Sequence, residues 1–278
     1  PGPPPRRLPC HRQPEDTAPP NGQINPCHFT TPCPWSRPAQ PFTNGIGQMQ
    51  DRQKGGGLTW QDGVIPVSTR FDDPYFSAHD GLAETRHVFL AGNDLPARLR
   101  PGFHIAELGF GTGLNLLATL IANPGTPIRY TSFEAYPLPA TDIERALNHF
   151  PEARAVADDF LTHWANGARR FALGPIDVEI LNGDASDMLP NWPHKADAWF
   201  LDGFSPAKNP DLWTPGLMAE VARHTAPQGS FATYTAAGHV RRALAEAGFV
   251  VTRAPGHGRK RHMTTGRLTW PTPAKASC

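Results

Sequence analysis

Cysteine is missing from the whole stretch between Cys33 and Cys278; the only others are Cys10 and Cys27. A core built from the intervening residues therefore has no disulfide framework and suits a reducing compartment. Cys27, His28 and Cys33 follow no zinc-ligand spacing, so no metal site is expected. Apolar runs of membrane-spanning length are absent, as is the hydrophobic stretch of a signal peptide, and the expectation is a cytoplasmic protein with no membrane partner. Excess charge is lacking too. The formal net charge is +1 over 278 residues, so a nucleic-acid partner must be met by a local patch rather than by the whole surface.

Aliphatic side chains are scarce at the N-terminus. Residues 1–48 hold 13 of the 32 prolines but only Leu8, Ile24 and Ile46 as branched aliphatics. Such a segment buries too little apolar surface to offset its ordering entropy, so a disordered tail is expected over 1–57. The chain opens on Pro1 and its first methionine is Met49. One expectation is that Met49 is the natural start. The intact mass of protein made from its native locus tests this.

From residue 58 the pattern changes to alternating strand-like and helix-like segments, which argues for an α/β domain with a mostly parallel sheet over 101–270. Strands are expected at 103–108, 129–134, 177–182, 196–202 and 229–235. Helices are expected at 114–122, 140–149, 215–225 and 237–248. Two further strand-like runs, 249–254 and 262–269, have hairpin spacing. Residues 58–100 form an extension ahead of this unit, expected to cover the ligand site, and 271–278 a short tail.

The first expected strand runs into "ELGFGTGLN", with Glu107 followed by Gly109, Gly111 and Gly113. A glycine turn between a strand and a helix brings backbone N–H groups close to a ligand. By itself it leaves a dinucleotide and S-adenosylmethionine equally open. The carboxylate of Glu107 could accept from the ligand's amino-acid part. Glu134, about 20 residues on, suits two ribose hydroxyls in either cofactor; the plain alternative is a solvated strand end. Asp184 follows the third strand, where a carboxylate can accept from an adenine amino group or simply cap a helix. Most informative is "WFLDGFSPAKNPDLW", residues 199–213. Asp202 would face the reacting methyl group and serve an amine nucleophile as orienter and proton acceptor. Phe204 would wall the site, and Pro206 and Pro210 stiffen the loop. A hairpin rather than a further parallel strand after the last helix favours a class I S-adenosylmethionine-dependent methyltransferase fold, a Rossmann-like sheet with a C-terminal antiparallel hairpin.

Six runs, "FDDPYFSAHDGLAETRHVFLAGNDL", "ELGFGTGLN", "SFEAYPL", "DAWFLDGFSPAKNPDLW", "GSFATYTAAGHVRRAL" and "GHGRKRHM", together resemble the methyltransferase module of the MnmC/MnmD family over about residues 58–270. The resemblance implies S-adenosylmethionine as cofactor. It also implies N-methylation of the 5-aminomethyl group on a tRNA wobble (2-thio)uridine, giving the 5-methylaminomethyl form. By the same resemblance, Glu107, Gly109, Gly111, Gly113, Glu134 and Asp184 match cofactor-binding positions. Asp202 matches the acidic residue beside the amine, with Phe204 and Lys208 in its loop. Tyr75, Phe76 and Glu84 lie in the N-terminal run that shapes the substrate pocket. Many members add an FAD-dependent oxidase module, which this sequence does not show, so a stand-alone methyltransferase with a separate upstream oxidase, or a piece of a longer fusion, is expected.

For tRNA, Arg253, Arg259, Lys260, Arg261 and Arg267 fall within 15 residues without one acid. Arg241 and Arg242 precede them on a helix. Such a patch near the active-site end of a sheet suits the phosphates of an anticodon loop, although a solvated basic loop has the same composition. Competing readings are a small-molecule amine methyltransferase, an NAD-dependent oxidoreductase and a non-catalytic RNA- or cofactor-binding protein. The basic loop and the family-specific runs speak against the first. Asp184 and the terminal hairpin speak against the second, and Asp202 with its loop against the third.

Overall fold

The computed structural model describes residues 57–77 and 80–269. The expected unordered tail, the Met49 start, Cys27, His28, Cys33 and the last residues lie outside the described residues.

A small antiparallel sheet comes first: β1 (Leu58–Gln61), β2 (Ile65–Ser68) and β3 (Asp73–Pro74), in that order. Helix α1 (Gly81–Thr85) starts at Asp80, whose side chain accepts from Ala83 N at 2.9 Å, an N-cap bond that satisfies one free helix donor. It continues through a wider turn, Arg86–Leu90, that buries Val88, Phe89 and Leu90. Asn93, fully buried, donates to Trp199 O at 3.3 Å and so ties this extension to the main sheet.

The main unit runs β4 (His104–Leu108), α2 (Leu114–Ala122), β5 (Ile128–Glu134), α3 (Ala140–Leu147), α4 (Pro151–Arg154), α5 (Asp158–Ala165), β6 (Arg170–Leu173), β7 (Ile176–Asn182), α6 (Ala185–Met188), β8 (Ala196–Leu201), α7 (Pro215–Arg223), β9 (Thr225–Thr233), α8 (Gly238–Glu246), β10 (Phe249–Pro255) and β11 (His262–Leu268). Its sheet has the order β10-β11-β9-β8-β4-β5-β7-β6. The pairs among β9, β8, β4, β5 and β7 are parallel; β6 pairs antiparallel with β7, and β11 antiparallel with both β9 and β10. This is the α/β class I methyltransferase fold.

Three features differ from the sequence expectation. The single helix expected at 140–149 is followed by α4 and α5, because Pro151 cannot extend α3 and instead opens a new turn at its first position. Strand β6 is a four-residue edge strand burying only Phe171 and Leu173. The terminal hairpin does not simply add to the edge: β11 enters between β9 and β10. Gly266 permits this, since a Cβ there would meet the Phe231 ring at 2.4 Å.

Strand alternation sends neighbouring residues to opposite faces. Ile105, Tyr130, Val178 and Phe200 pack with α2, α3 and α5 through Leu116, Ile143 and Phe160. Ala106, Leu108, Trp199 and Phe231 pack with α7 and α8 through Met218, Val221 and Leu244. β4 lies at the centre, where the chain crosses to β5 on one side and β8 on the other. A cleft opens beyond the carboxyl ends of strands at such a point. Among the described residues no helix is long and apolar enough to cross a membrane, and no cluster of His, Cys, Asp or Glu could hold a metal ion.

Candidate active site

The glycine turn follows β4 with Gly109, Gly111 and Gly113 all at positive φ (84°, 56° and 76°). At Gly109 two constraints coincide. The backbone is in the left-handed region, and a Cβ would come 2.6 Å from the carbonyl oxygen of Asp202. The ends of β4 and β8 therefore touch, with a hollow in front of them. Gly111 N donates to Glu134 Oε2 at 3.0 Å, and Tyr136 N to Glu134 Oε1 at 2.6 Å. Glu134 is buried, which raises its pKa, while the N–H groups of Gly111 and Tyr136 pull it back. It is a held strand-end carboxylate rather than a solvated one. Asp184 is exposed on the far wall; its Oδ1 accepts from Ser186 N (2.9 Å) and Oγ (2.7 Å), capping α6.

Asp202 stands where this hollow meets a second one. Its Oδ1 accepts from Gly203 N at 2.9 Å and its Oδ2 from Asn115 Nδ2 at 2.8 Å. The same nitrogen donates to Glu107 Oε1 at 2.8 Å, and Thr85 Oγ1 donates to Asn115 Oδ1 at 2.9 Å. Thr85 thus orients the amide so that its N–H groups bridge two carboxylates. Burial pushes Asp202 up to about 6; the bonds from Asn115 and Gly203 and the charge of Lys260 oppose that rise, and Glu84 adds to it. Burial pushes Glu107 higher, to about 8, with the Asp202 charge contributing.

Glu107 occupies a different place from the one expected. Alternation along β4 turns it to the α2 face with Ile105, where it is 0% exposed. It lines neither hollow and reaches Asp202 only through Asn115. Its Oε2, Tyr130 Oη and Ser132 Oγ are buried without hydrogen-bond partners. A proton on Glu107, which its raised pKa favours, leaves that group without an unpaired buried charge.

The loop after β8 is latched to the N-terminal extension. Phe204 stacks on Phe71 (centroids 4.8 Å, 28° between planes) and meets Tyr75 edge-on at 5.0 Å. Ser205 N donates to Asp73 Oδ2 at 2.8 Å, and Lys208 Nζ to Asp72 Oδ2 at 2.9 Å. The ammonium of Lys208 is therefore engaged in this latch rather than facing a substrate. Phe76 packs edge-on against Phe150 at 4.8 Å and is largely buried, and it also contributes to the lining of the second hollow. Tyr75 lies between the two hollows, and burial raises its pKa.

The second hollow is bounded by Glu84, Asn115, Asp202, Tyr234, Arg259 and Lys260. Lys260 Nζ donates to Glu84 Oε1 at 2.7 Å and sits 4.1 Å from the Tyr234 ring centroid. Arg253, Arg242, Arg259 and Arg261 are exposed and Arg241 half-buried, whereas Arg267 is paired with Asp94. Sequence reasoning missed Asn115, Thr85, Tyr234 and Phe71. The signal for Asn115 was a lone amide in the otherwise apolar start of α2, LNLLATLIA.

The first hollow fits S-adenosylmethionine on its own chemistry. It offers a glycine cradle that a Cβ would block, a held carboxylate at Glu134, a second one at Asp184 and apolar walls at Phe204 and Leu212. The family described as S-adenosyl-L-methionine-dependent methyltransferase matches residues 151–269. The chain is similar to the "tRNA 5-methylaminomethyl-2-thiouridine biosynthesis bifunctional protein MnmC" of Pseudomonas paraeruginosa, 46% identical over 234 residues, covering 79% of this chain and 36% of that protein. The protein of the same description from Chromobacterium violaceum is 45% identical over 232 residues, 78% of this chain and 35% of that one. The chain thus spans about a third of the length of these relatives. Among solved structures it resembles MNMC2 from Aquifex aeolicus, with a TM-score of 0.62, 26% identity, and 80% of this chain and 73% of that one covered.

Proposed function

The chain belongs to the S-adenosylmethionine-dependent methyltransferases and corresponds to the methyltransferase module of the MnmC proteins, and from that premise we propose that it methylates the primary amine of a 5-aminomethyl group on the wobble (2-thio)uridine of tRNA, in the cytoplasm. The observation that carries this reading is the position of Asp202, at the junction of a hollow suited to the cofactor and a hollow open to a basic loop.

S-adenosylmethionine, when bound, supplies an electrophilic methyl group. In this reading Glu134 and Asp184 hold the ribose and adenine parts, and Gly109, Gly111 and Gly113 let the backbone approach. Glu107 acts from behind, through Asn115. Asp202 accepts a hydrogen bond from the substrate amine and orients its lone pair toward the first hollow. As the nitrogen–methyl bond forms, the methyl–sulfur bond would break and S-adenosylhomocysteine would be left; the nitrogen is then cationic, and its proton passes by way of Asp202 to solvent. An alkylammonium of ordinary pKa near ~10 arrives protonated and must lose one proton to solvent before its lone pair is free to attack. Burial favours its neutral form and the anion of Asp202 the charged one, so Asp202 orients the amine and accepts its proton late. With a pKa raised to about 6, Asp202 is ionised at neutral pH yet a better proton acceptor than a free aspartate. Much of the acceleration comes from alignment.

Arg259, Lys260 and Arg261, with Arg253 and Arg242 nearby, would meet anticodon-loop phosphates, and the wobble base would be splayed out of its stack to reach Asp202. A separate FAD-dependent oxidase acting upstream, or an oxidase joined to this module, would supply the aminomethyl substrate; the bifunctional relatives favour that arrangement. The test uses tRNA carrying the aminomethyl uridine, incubated with the chain and labelled S-adenosylmethionine, then digested to nucleosides and analysed by mass. Label in methylaminomethyl uridine is expected. Label elsewhere, or none despite cofactor binding, would overturn the proposal.

A further inference from the structure

The second hollow already holds an ammonium. Lys260 Nζ lies 2.7 Å from Glu84 Oε1 and 4.1 Å from the centre of the Tyr234 ring, close enough to Asp202 for its charge to lower that residue's pKa. A carboxylate on one side, an aromatic face on another and a second carboxylate beyond make a cage for a small alkylammonium.

The parts of this cage differ in how firmly they are held. Glu84 sits on α1 with its side chain 12% exposed, next to Thr85, which is bonded to Asn115. The Tyr234 hydroxyl donates to Gly203 O at 2.7 Å, which fixes the ring. Lys260 comes from the six-residue connection between β10 and β11, which includes Gly256 and Gly258, and its side chain is 44% exposed. Two walls are anchored, and the cation is carried by an exposed arm.

Resting on the function proposed above, we infer that Glu84 and Tyr234 recognise the substrate's ammonium, and that Lys260 is a stand-in for it which the substrate displaces. A lysine side chain and an aminomethyl group both end in a primary alkylammonium, so the walls that hold one hold the other. The exchange has a consequence for selection. A uridine without an amine offers no cation to Glu84 and leaves Lys260 in place, blocking the way to Asp202. A displaced Lys260 is freed beside Arg259 and Arg261, where the phosphates of a bound RNA would take its charge. Entry of the amine and grip on the backbone are thereby coupled.

Two measurements test this. First, methyl transfer is followed with an anticodon stem-loop containing 5-aminomethyluridine and with the free 5-aminomethyluridine nucleoside, which has no phosphates. Glu84→Gln, isosteric and uncharged, is expected to raise KM about tenfold on both, with a smaller change in kcat. Tyr234→Leu moves KM in the same direction. Lys260→Ala is expected to lower KM for the nucleoside several-fold, because the competitor is gone, and to raise it for the stem-loop. An unchanged KM in Glu84→Gln, or a raised nucleoside KM in Lys260→Ala, would overturn the inference.

The second measurement needs no turnover. In the 13C-lysine-labelled protein, the ε-methylene signal of Lys260 should be shifted upfield by the Tyr234 ring, and Tyr234→Leu should abolish that shift. Excess ethylammonium, but not ethanol, should move the signal to the position of free lysine. If no methyl transfer to either substrate is found while ethylammonium still displaces Lys260, the cage stands and the proposed substrate falls. If transfer occurs but neither ethylammonium nor the nucleoside moves the signal, the cage falls.

Discussion

The two hollows that meet at Asp202 are built in opposite ways. The first is framed by fixed backbone, the turn at Gly109 and Gly111, the N–H of Gly111 on Glu134 and the helix cap at Asp184, with side-chain walls such as Phe204 and Leu212 around it. The second is made of side chains, with Glu84 from α1, Asn115 from α2, Tyr234 beyond β9 and Lys260 from the last hairpin. A site framed by backbone hydrogen bonds is rigid and suits one invariant ligand. A side-chain site on an exposed arm can rearrange around an incoming macromolecule. Asp202 belongs to both and is fixed from behind by the amide of Asn115, so it keeps its orientation whichever side is filled.

The sharpest way to break the contrast is Gly109→Ala. A Cβ 2.6 Å from the carbonyl of Asp202, on a residue at φ 84°, must push the two strand ends apart. Cofactor affinity and methyl transfer should both fall by about 10³-fold or more, with a loss of thermal stability on the order of 3 kcal/mol; calorimetry with labelled-methyl assays checks this. Asn115→Ala should act differently. It removes the link between Glu107 and Asp202, so transfer should drop about 10²-fold while cofactor affinity changes little. If affinity and rate fall together, the two hollows are not separable in this way.

A smaller effect is expected from pH. Asp202 must be ionised to accept the proton, and its pKa is raised to about 6. The rate should keep rising above pH 6 as the neutral fraction of the amine grows, and its slope should steepen by about one further tenfold per unit below about 6, where Asp202 becomes protonated. A slope that does not change between pH 5 and 7 would remove Asp202 from the proton's path.

The smallest effect on activity belongs to Glu107→Gln. The residue is buried with its pKa raised to about 8, so at pH 7 the wild type is already mostly protonated there. Transfer at pH 7 should stay within a few-fold. Stability should change with a definite sign. A folded pKa raised above the unfolded value stabilises fully below the unfolded value, and that contribution is lost as pH rises through about 8. The variant should thus exceed the wild type at pH 9, by at most about 5 kcal/mol for a rise from 4.5 to about 8, with the difference shrinking toward pH 5. Denaturant melts at the two pH values check it.

The same contrast explains what the sequence revealed. The first hollow is legible because its parts sit at strand ends, in short contiguous runs whose spacing follows the sheet order: Gly109 and Gly111 after β4, Glu134 ending β5, Asp184 after β7. Even there one role was misplaced, since the side-to-side alternation of β4 carries Glu107 into the packed layer. The second hollow is barely legible. Glu84, Asn115, Tyr234 and Lys260 are up to 176 residues apart, and only the fold shows that Lys260 meets Glu84. Lys208 shares a run with site residues, yet its ammonium goes to a latch on Asp72. In the fold, the strongly apolar strands were readable, whereas β6 buries only two side chains and gives almost no signal.

The most direct test of the account is Asp202→Asn, with methyl transfer to aminomethyl-bearing tRNA and affinity for S-adenosylmethionine measured on the same preparation. The amide keeps the size of the side chain but loses its charge, its capacity to take a proton and one of the two acceptor oxygens that meet Gly203 N and Asn115 Nδ2, so cofactor affinity and thermal stability are read alongside the rate. Transfer is predicted to fall about 10²- to 10⁴-fold with cofactor affinity within a few-fold of wild type. Transfer at the wild-type rate would contradict the account.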